Sequence, residues 1–363
     1  MRLAIVGPPL SGKTTLFAAL TGLGSAAGTG AEGGVHLGVF EVPDPRLERL
    51  AEAIPHPRVI QATVEMVDIP GFSDIATGRG GRGLDEKTMG AARTADALVL
   101  VVRAFGRPSV PHPAGRIDPV ADLEAVWTDM IIADLQSVEK RQKKLKSLIS
   151  KGGASPEEKV EAEALQRMAG ALGEGSAAGD VELSAEEDRL LRGFGFMTAK
   201  PLVLVVNIGE EQLPSIVAEE WVEWGSAHGA NVLALCVDLL VELGRLPPGE
   251  VEEFAEEYGV NPEAAVDVIR AAYEALDVVT FYTATGGEEL RAWALRRGRS
   301  ALEAAGEIHS DMARGFIRAE VIGVDELVEA GSWAAARKDG LARQEGKSYC
   351  VADGDVLNIK FAV

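Results

Sequence analysis

Eight residues near the N-terminus carry the most specific chemical signal in this chain. Gly7-Pro8-Pro9-Leu10-Ser11-Gly12-Lys13-Thr14 fits the pattern G-x-x-x-x-G-K-[ST] in full. In that pattern glycines let backbone amides curl around phosphate oxygens. The lysine brings a point charge to the outer phosphates, and the hydroxyl reaches Mg²⁺. The context that the motif requires is present as well. Residues 2–6 (RLAIV) read as a buried strand, and the segment after Lys13 (TTLFAALTGL) has helical apolar spacing up to Gly22. The loop from Gly7 to Thr14, with Thr15 at the helix start, is therefore expected to bind the phosphates of a nucleotide, Lys13 being catalytic as well as binding.

Two further stretches extend that site. Asp68-Ile69-Pro70-Gly71 closes the strand-like run TVEMVDI. An aspartate at a strand end holds a metal's water shell, and Gly71 lets the backbone approach the terminal phosphate. Asp-x-x-Gly alone is a common turn; its distance after the P-loop favours a functional reading, with Thr14 and Asp68 as the metal residues. Asn207-Ile208-Gly209-Glu210 follows a buried strand, where GTPases usually carry Asn-Lys-x-Asp to read guanine. Here lysine is absent and Glu210 replaces aspartate. An ionised glutamate only accepts hydrogen bonds, and adenine offers one amino group as donor, so the pattern argues against strict guanine specificity.

The elements that must hold these residues can be read from hydrophobic patterning. HLGVFEV and TVEMVDI read as strands. ADALVLVVRAF (95–105), PLVLVVNI (201–208) and NVLALCVDL (231–239) are continuous apolar runs, as expected of central parallel strands covered on both faces. Strands alternating with helical segments predict a doubly wound α/β sheet. The glycine-rich stretches Gly22–Gly38 and Gly71–Gly90 have little to pack, and the first is expected to be a mobile loop. Residues 125–192 interrupt the alternation and predict an antiparallel helical pair, the second helix opening at Ser155-Pro156-Glu157-Glu158. From 281 the sequence suggests a strand–turn–strand unit, a short helix over SALEAAGEIHSDMARG, and strands in FIRAEVIG and SYCVADGDVLNIKFAV around an Asp353-Gly354 turn.

Composition bounds the function class. With 363 residues, 47% hydrophobic and 25% charged, the chain reads as an ordinary globular protein of two or three domains. A net charge of −20 argues against an indiscriminate grip on nucleic acid. The charge is uneven: residues 211–280 hold fifteen acids and two bases, whereas 281–363 hold thirteen acids and eleven bases. Basic side chains also cluster at Lys140, Arg141, Lys143, Lys144, Lys146 and Lys151, and at Arg291, Arg296, Arg297 and Arg299. Such runs are usually solvated faces, and they are also the footprint of phosphate contact. Two distant cysteines, Cys236 and Cys350, build no disulfide framework and fit a reducing cytoplasm. No run approaches the roughly 18 apolar residues of a membrane helix.

The motifs together resemble the YchF, or Obg-like ATPase, family of the translation-factor GTPase class. The resemblance rests on GPPLSGKTTLFAALT, VPDPRLERLAE (42–52), VEMVDIPG (64–71), RTADALVLVVRAF (93–105), GRIDPVADLEAV (115–126), DLQSVEKR (134–141), AKPLVLVVNIGE (199–210), FYTATGGEELRAWALRRG and IHSDMARGFIRAEV. It implies a P-loop GTPase-like domain over 1–124 and 201–280, a coiled-coil-like helical insertion over 125–200, and a small α+β TGS domain over 281–363. It also implies Mg²⁺, and ATP in preference to GTP through Asn207 and Glu210. Phe72 stands where the usual catalytic glutamine is replaced by an apolar residue. His112, just before GRIDP, stands where the family is thought to place its water-orienting histidine. The resemblance implies a ribosome or RNA partner, while the cysteine usage and the lack of a long apolar run lead to the expectation of a cytoplasmic location and no membrane contact, with a monomer as the expected state. Departures are Glu32 where the family has threonine, Leu10-Ser11 for its Asn-Val, and Cys236 for a serine at the base-side motif. The expectation is a slow ATPase, the alternatives being a non-catalytic nucleotide-dependent switch or a GTPase with an altered base motif.

Overall fold

The computed structural model describes residues 1–21, 26–32, 35–69, 86–214, 217–284 and 289–362; the side chains of 26–32, 35, 86–88 and 248 are outside that description. In chain order the first elements are β1 (Arg2–Val6), α1 (Lys13–Leu20), β2 (Ala26–Glu32), β3 (Val35–Val42), α2 (Pro45–Ala53), β4 (Arg58–Ile60), β5 (Ala62–Asp68), α3 (Glu86–Thr94) and β6 (Ala97–Arg103). Next come α4 (Pro119–Ser150), α5 (Pro156–Gly173), α6 (Ala185–Leu191), β7 (Leu202–Asn207), α7 (Glu219–Ala227), β8 (Ala230–Leu235), α8 (Val237–Leu243), α9 (Pro248–Tyr258) and α10 (Ala264–Ala275). The chain closes with β9 (Val278–Ala284), β10 (Glu289–Arg296), α11 (Ala301–Ile308), α12 (Ser310–Arg314), β11 (Phe316–Gly323), α13 (Val324–Ala330), α14 (Trp333–Lys338), β12 (Arg343–Glu345) and β13 (Asp355–Phe361).

Seven strands form one sheet in the order β2-β3-β5-β1-β6-β7-β8, with β1 parallel to β5 and β6, and β7 parallel to β6 and β8. Every residue of β6 and β7 is buried, which is why their sequences lack a polar alternation. Because β1, β6 and β7 run the same way, Gly7, Arg103 and Asn207 all emerge at the carboxyl ends of adjacent strands, where open α/β sheets bind ligands.

The helical insertion takes its start signals from its own sequence. Asp118 caps α4 by accepting from the Ala121 amide, with Pro119 in the first turn. Ser155 and Glu158 form a reciprocal capping box on α5. Leu123, Val126, Met130 and Ile131 of α4 join the core of the sheet, while Val138 and Leu145 continue it toward Ala164, Leu165 and Met168 of α5. Arg141 donates to both oxygens of Glu161 at 2.7 and 2.6 Å, joining the two helices.

The chain divides into two compact units. One holds residues 2–38 and 65–268; the other holds Met1, 39–64 and 269–363. The second unit carries a six-stranded sheet, β12-β11-β13-β9-β10-β4, with Val279, Phe281, Leu295, Phe316, Val321 and Leu357 in its core. β9 and β10 are antiparallel, and β4 pairs parallel with β10. Asp44, the cap of α2, belongs to this unit. It accepts from Tyr282 Oη at 2.6 Å and from Arg46 Nε and Nη2 at 3.0 and 2.9 Å, and Arg46 Nη1 reaches Asp353 at 2.6 Å. Burial pushes the Asp44 carboxyl up, but the bonds from Arg46 and Tyr282 outweigh it and hold the group below the usual carboxylate range.

Three expectations need correction. Much of the Gly22–Gly38 stretch forms β2 and the start of β3 instead of a loop; a strand at a sheet edge needs paired backbone more than bulky side chains. The apolar run 231–239 is not one strand, since β8 ends at Leu235 and α8 begins at Val237; a short continuous apolar run has no period that separates the two states. Residues 301–314 make two helices, α11 and α12, because His309 adopts an extended backbone and caps the second.

Candidate nucleotide site

The loop between β1 and α1 is built by two glycines that no other residue can replace. Gly7 has φ +144°, and a Cβ there would meet the Val101 carbonyl oxygen at 2.1 Å. Gly12 has φ +101°, and its Cβ would meet Asn207 Nδ2 at 2.2 Å. Both conformations belong to glycine. Leu10 is a positive-φ residue without that freedom, at φ 64°.

Lys13 is buried and donates to the carbonyls of Gly7 and Pro8 at 3.0 and 2.7 Å. Burial pushes its ammonium down to about 8, and the Asp68 charge opposes that shift. Thr14 Oγ1 donates to Asp68 Oδ2 at 2.7 Å. The other carboxylate oxygen, Asp68 Oδ1, is buried with no hydrogen-bond partner, as is Ser11 Oγ. A hydroxyl beside a carboxylate with one unspent oxygen is a donor set that suits Mg²⁺, which takes one or two protein ligands and keeps waters and phosphate oxygens for the rest. His36 of β3 lies at the same place, Nδ1 at 3.4 Å from Asp68 Oδ2. Sequence reasoning missed it; its place one residue from the edge of an alternating strand was the available signal.

Asn207 is buried at the end of β7. Its Nδ2 donates to the Ser11 carbonyl at 3.0 Å and its Oδ1 accepts from the Val237 amide at 3.3 Å. It thus ties the P-loop to the start of α8. Glu210 is exposed in a short turn after β7. Cys236, next to that turn, is buried, and burial pushes its thiol up, with Glu210, Asp238 and Glu211 adding to the effect.

His112 sits in the loop between β6 and α4, which lines a cleft of about 610 Å³ with Arg103, Arg107 and Arg116. Both ring nitrogens are engaged: Nε2 lies 2.9 Å from Asp122 Oδ2, and Nδ1 accepts from the Ala114 amide at 3.2 Å. Burial raises the Asp122 carboxyl, and the neighbouring His112 acts against that rise. The structure therefore brings Lys13, Thr14, Asp68, Asn207 and the loop together and holds the His112 ring folded onto α4. Gly71 and Phe72 lie outside the described residues, and so do the side chains of Glu32 and Thr29. Pro8 is buried, Pro9 and Thr15 are half-buried and Thr14 is exposed.

Residues 278–362 match the family model YchF-GTPase_C, described as "Protein of unknown function (DUF933)". The chain is 34% identical over 365 residues to the Ribosome-binding ATPase YchF of Bacillus subtilis, covering 99% of this chain and 98% of that protein. It is 36% identical over 362 residues to the Haemophilus influenzae protein of the same name, with the same coverage. The solved structure of the Schizosaccharomyces pombe YchF GTPase superposes with a TM-score of 0.83 at 26% identity, covering 99% of this chain and 97% of that one.

Proposed function

This chain belongs to the YchF family and carries its P-loop GTPase-like fold, and from that premise we propose that it is a Mg²⁺-dependent ATPase whose nucleotide state controls association with the ribosome. The ribosome enters through the names of its relatives. The observation that carries the catalytic reading is the Thr14–Asp68 pair with its unpartnered carboxylate oxygen beside the P-loop. Thr14 and Asp68 would hold the metal, which when bound neutralises charge on the outer phosphates. The loop amides and Ser11 Oγ would bind phosphate oxygens. Lys13 would exchange its bonds to Gly7 and Pro8 for the γ-phosphate, whose charge favours the protonated ammonium. Glu210 would accept from the adenine amino group, with Cys236 lining the same side. Residues 1–124 with 201–280, 125–200 and 281–363 would act as nucleotide, helical and TGS domains in the cytoplasm.

His112 is the proposed water-orienting group, and it serves that role only once the loop releases it from Asp122 and Ala114. That engagement favours a second reading, in which the protein binds nucleotide as a switch without turning it over. Calorimetry with ATP and with GTP, each with Mg²⁺, combined with phosphate release, separates the readings. ATP binding with turnover that disappears in Lys13→Ala supports the ATPase. Binding without turnover supports the switch, and tighter GTP than ATP would overturn the base assignment. His112→Ala should leave the ATP dissociation constant unchanged and lower turnover by about 10²-fold or more, the usual range for a positioned base.

A further inference from the structure

The loop between β6 and α4, which carries His112, is built in two halves. In the first, the Val110 amide donates to the Arg107 carbonyl at 3.0 Å. In the second, the Gly115 amide donates to the His112 carbonyl at 2.9 Å. Pro111, whose ring fixes its own φ, joins them.

One side chain anchors the first half. Arg103, the last residue of β6, is 2% exposed. Its Nε donates to the Phe105 carbonyl at 3.0 Å and its Nη2 to the Val110 carbonyl at 2.9 Å, so a single guanidinium holds both ends of the segment. The same group lies over the Phe105 ring, 4.3 Å from its centroid. The root of the loop is tied to the nucleotide site: the Ala104 amide donates to the Asn207 carbonyl at 2.8 Å, and the Asn207 side chain reaches Ser11. The second half is held by the His112 ring, through Asp122 and the Ala114 amide. Those are the bonds the ring must give up to orient water. Arg103 Nη1 is buried with no hydrogen-bond partner among the described residues. A buried donor left unpaired costs free energy, so a loop arrangement that offers it an acceptor is favoured.

We propose that Arg103 is a positioning residue for His112. It fixes residues 105–110 so that residues 111–117 swing as one short unit and deliver the ring, with Nη1 the donor that receives the moved half. The inference rests on the reading of His112 as the water-orienting group. Its test compares the wild type with Arg103→Met, Arg103→Lys, His112→Ala and Arg103→Met/His112→Ala, after thermal melts show which variants fold. ATP affinity is measured by calorimetry and turnover by phosphate release. Arg103→Met should lower turnover about tenfold or more and leave the ATP dissociation constant within about twofold, because a slight misplacement of a catalytic group costs up to roughly 10²-fold in rate alone. Arg103→Lys, which cannot span both carbonyls, should fall between. The double variant should turn over as His112→Ala does, because Arg103 acts through that ring. Additive losses, or an affinity loss that matches the turnover loss, would sink the proposal. Hydrogen exchange with and without a non-hydrolysable ATP analogue follows the movement independently of turnover. On binding, the wild type should lose protection at Ala114 and Gly115 and keep it at Ala104 and Val110, whereas Arg103→Lys should lose it at all four. An unchanged Ala114 in the wild type, or the same pattern in both proteins, refutes the role of Arg103. Absence of wild-type turnover refutes the ATPase reading, and the exchange pattern alone then upholds or refutes Arg103 as the residue that fixes the loop.

Discussion

At the scale of single residues, the P-loop shows where spacing predicts and where it cannot. That the glycines, Lys13, Thr14 and Asp68 gather at one place was readable, because the motif fixes residue type and order. The tie made by Asn207 was not, because it depends on where the start of α8 lies against β7. The tie has a measurable consequence. Asn207→Ala strands the Ser11 carbonyl and the Val237 amide in the interior, which should cost about 2–3 kcal/mol in stability. It should also weaken ATP and GTP alike in calorimetry, whereas loss of a base reader would weaken one selectively. Leu10 makes the opposite prediction. It is a left-handed residue with a bulky side chain that is 53% exposed, so it bears strain with little burial in return. Leu10→Asn should raise stability by about 1 kcal/mol, a rise of roughly 2–4 °C in melting temperature by calorimetry. Unchanged or lower stability would place compensating contacts on Leu10.

At the scale of elements, strands and capped helices were the readable part. β6 and β7 announced themselves by unbroken apolar runs, and α4 and α5 by Asp118-Pro119 and Ser155-Pro156. Glycine-rich β2 and the helix start at Val237 were not, since neither carries a periodic signal. The helices α13 and α14 are short but open on local signals, the Glu326 carboxylate accepting from the Gly323 amide and Ser332 capping through the Ala335 amide. The cap of α2 belongs to both categories: Asp44-Pro45 is a visible start signal, but its bond to Tyr282 is not. Because the folded carboxyl is held below its ordinary range, Asp44 contributes stability that is present at neutral pH. That contribution is lost as pH falls below about 4 and through the folded value. Asp44→Asn should destabilise by about 2 kcal/mol at pH 7 and lose less than the wild type on acidification, measured by denaturant unfolding from pH 7 to pH 3. An unchanged acid profile would remove Asp44 from that role.

At the scale of the whole molecule, residues 39–64 share a compact unit with 269–363. The earlier segment supplies the edge strand β4 and both Asp44 and Arg46. A fragment of residues 269–363 should therefore lack a cooperative thermal transition. Adding a 39–64 peptide should restore one in far-ultraviolet circular dichroism; a sharp transition without the peptide would show that the strand is dispensable. The same interleaving constrains how such a gene can recombine. A single crossover anywhere between codons 64 and 269 would unite β4 and α2 from one parent with β9 and β10 from the other. Chimaeras of that kind inherit mismatched halves of one fold, so the two stretches should be exchanged between lineages together or not at all.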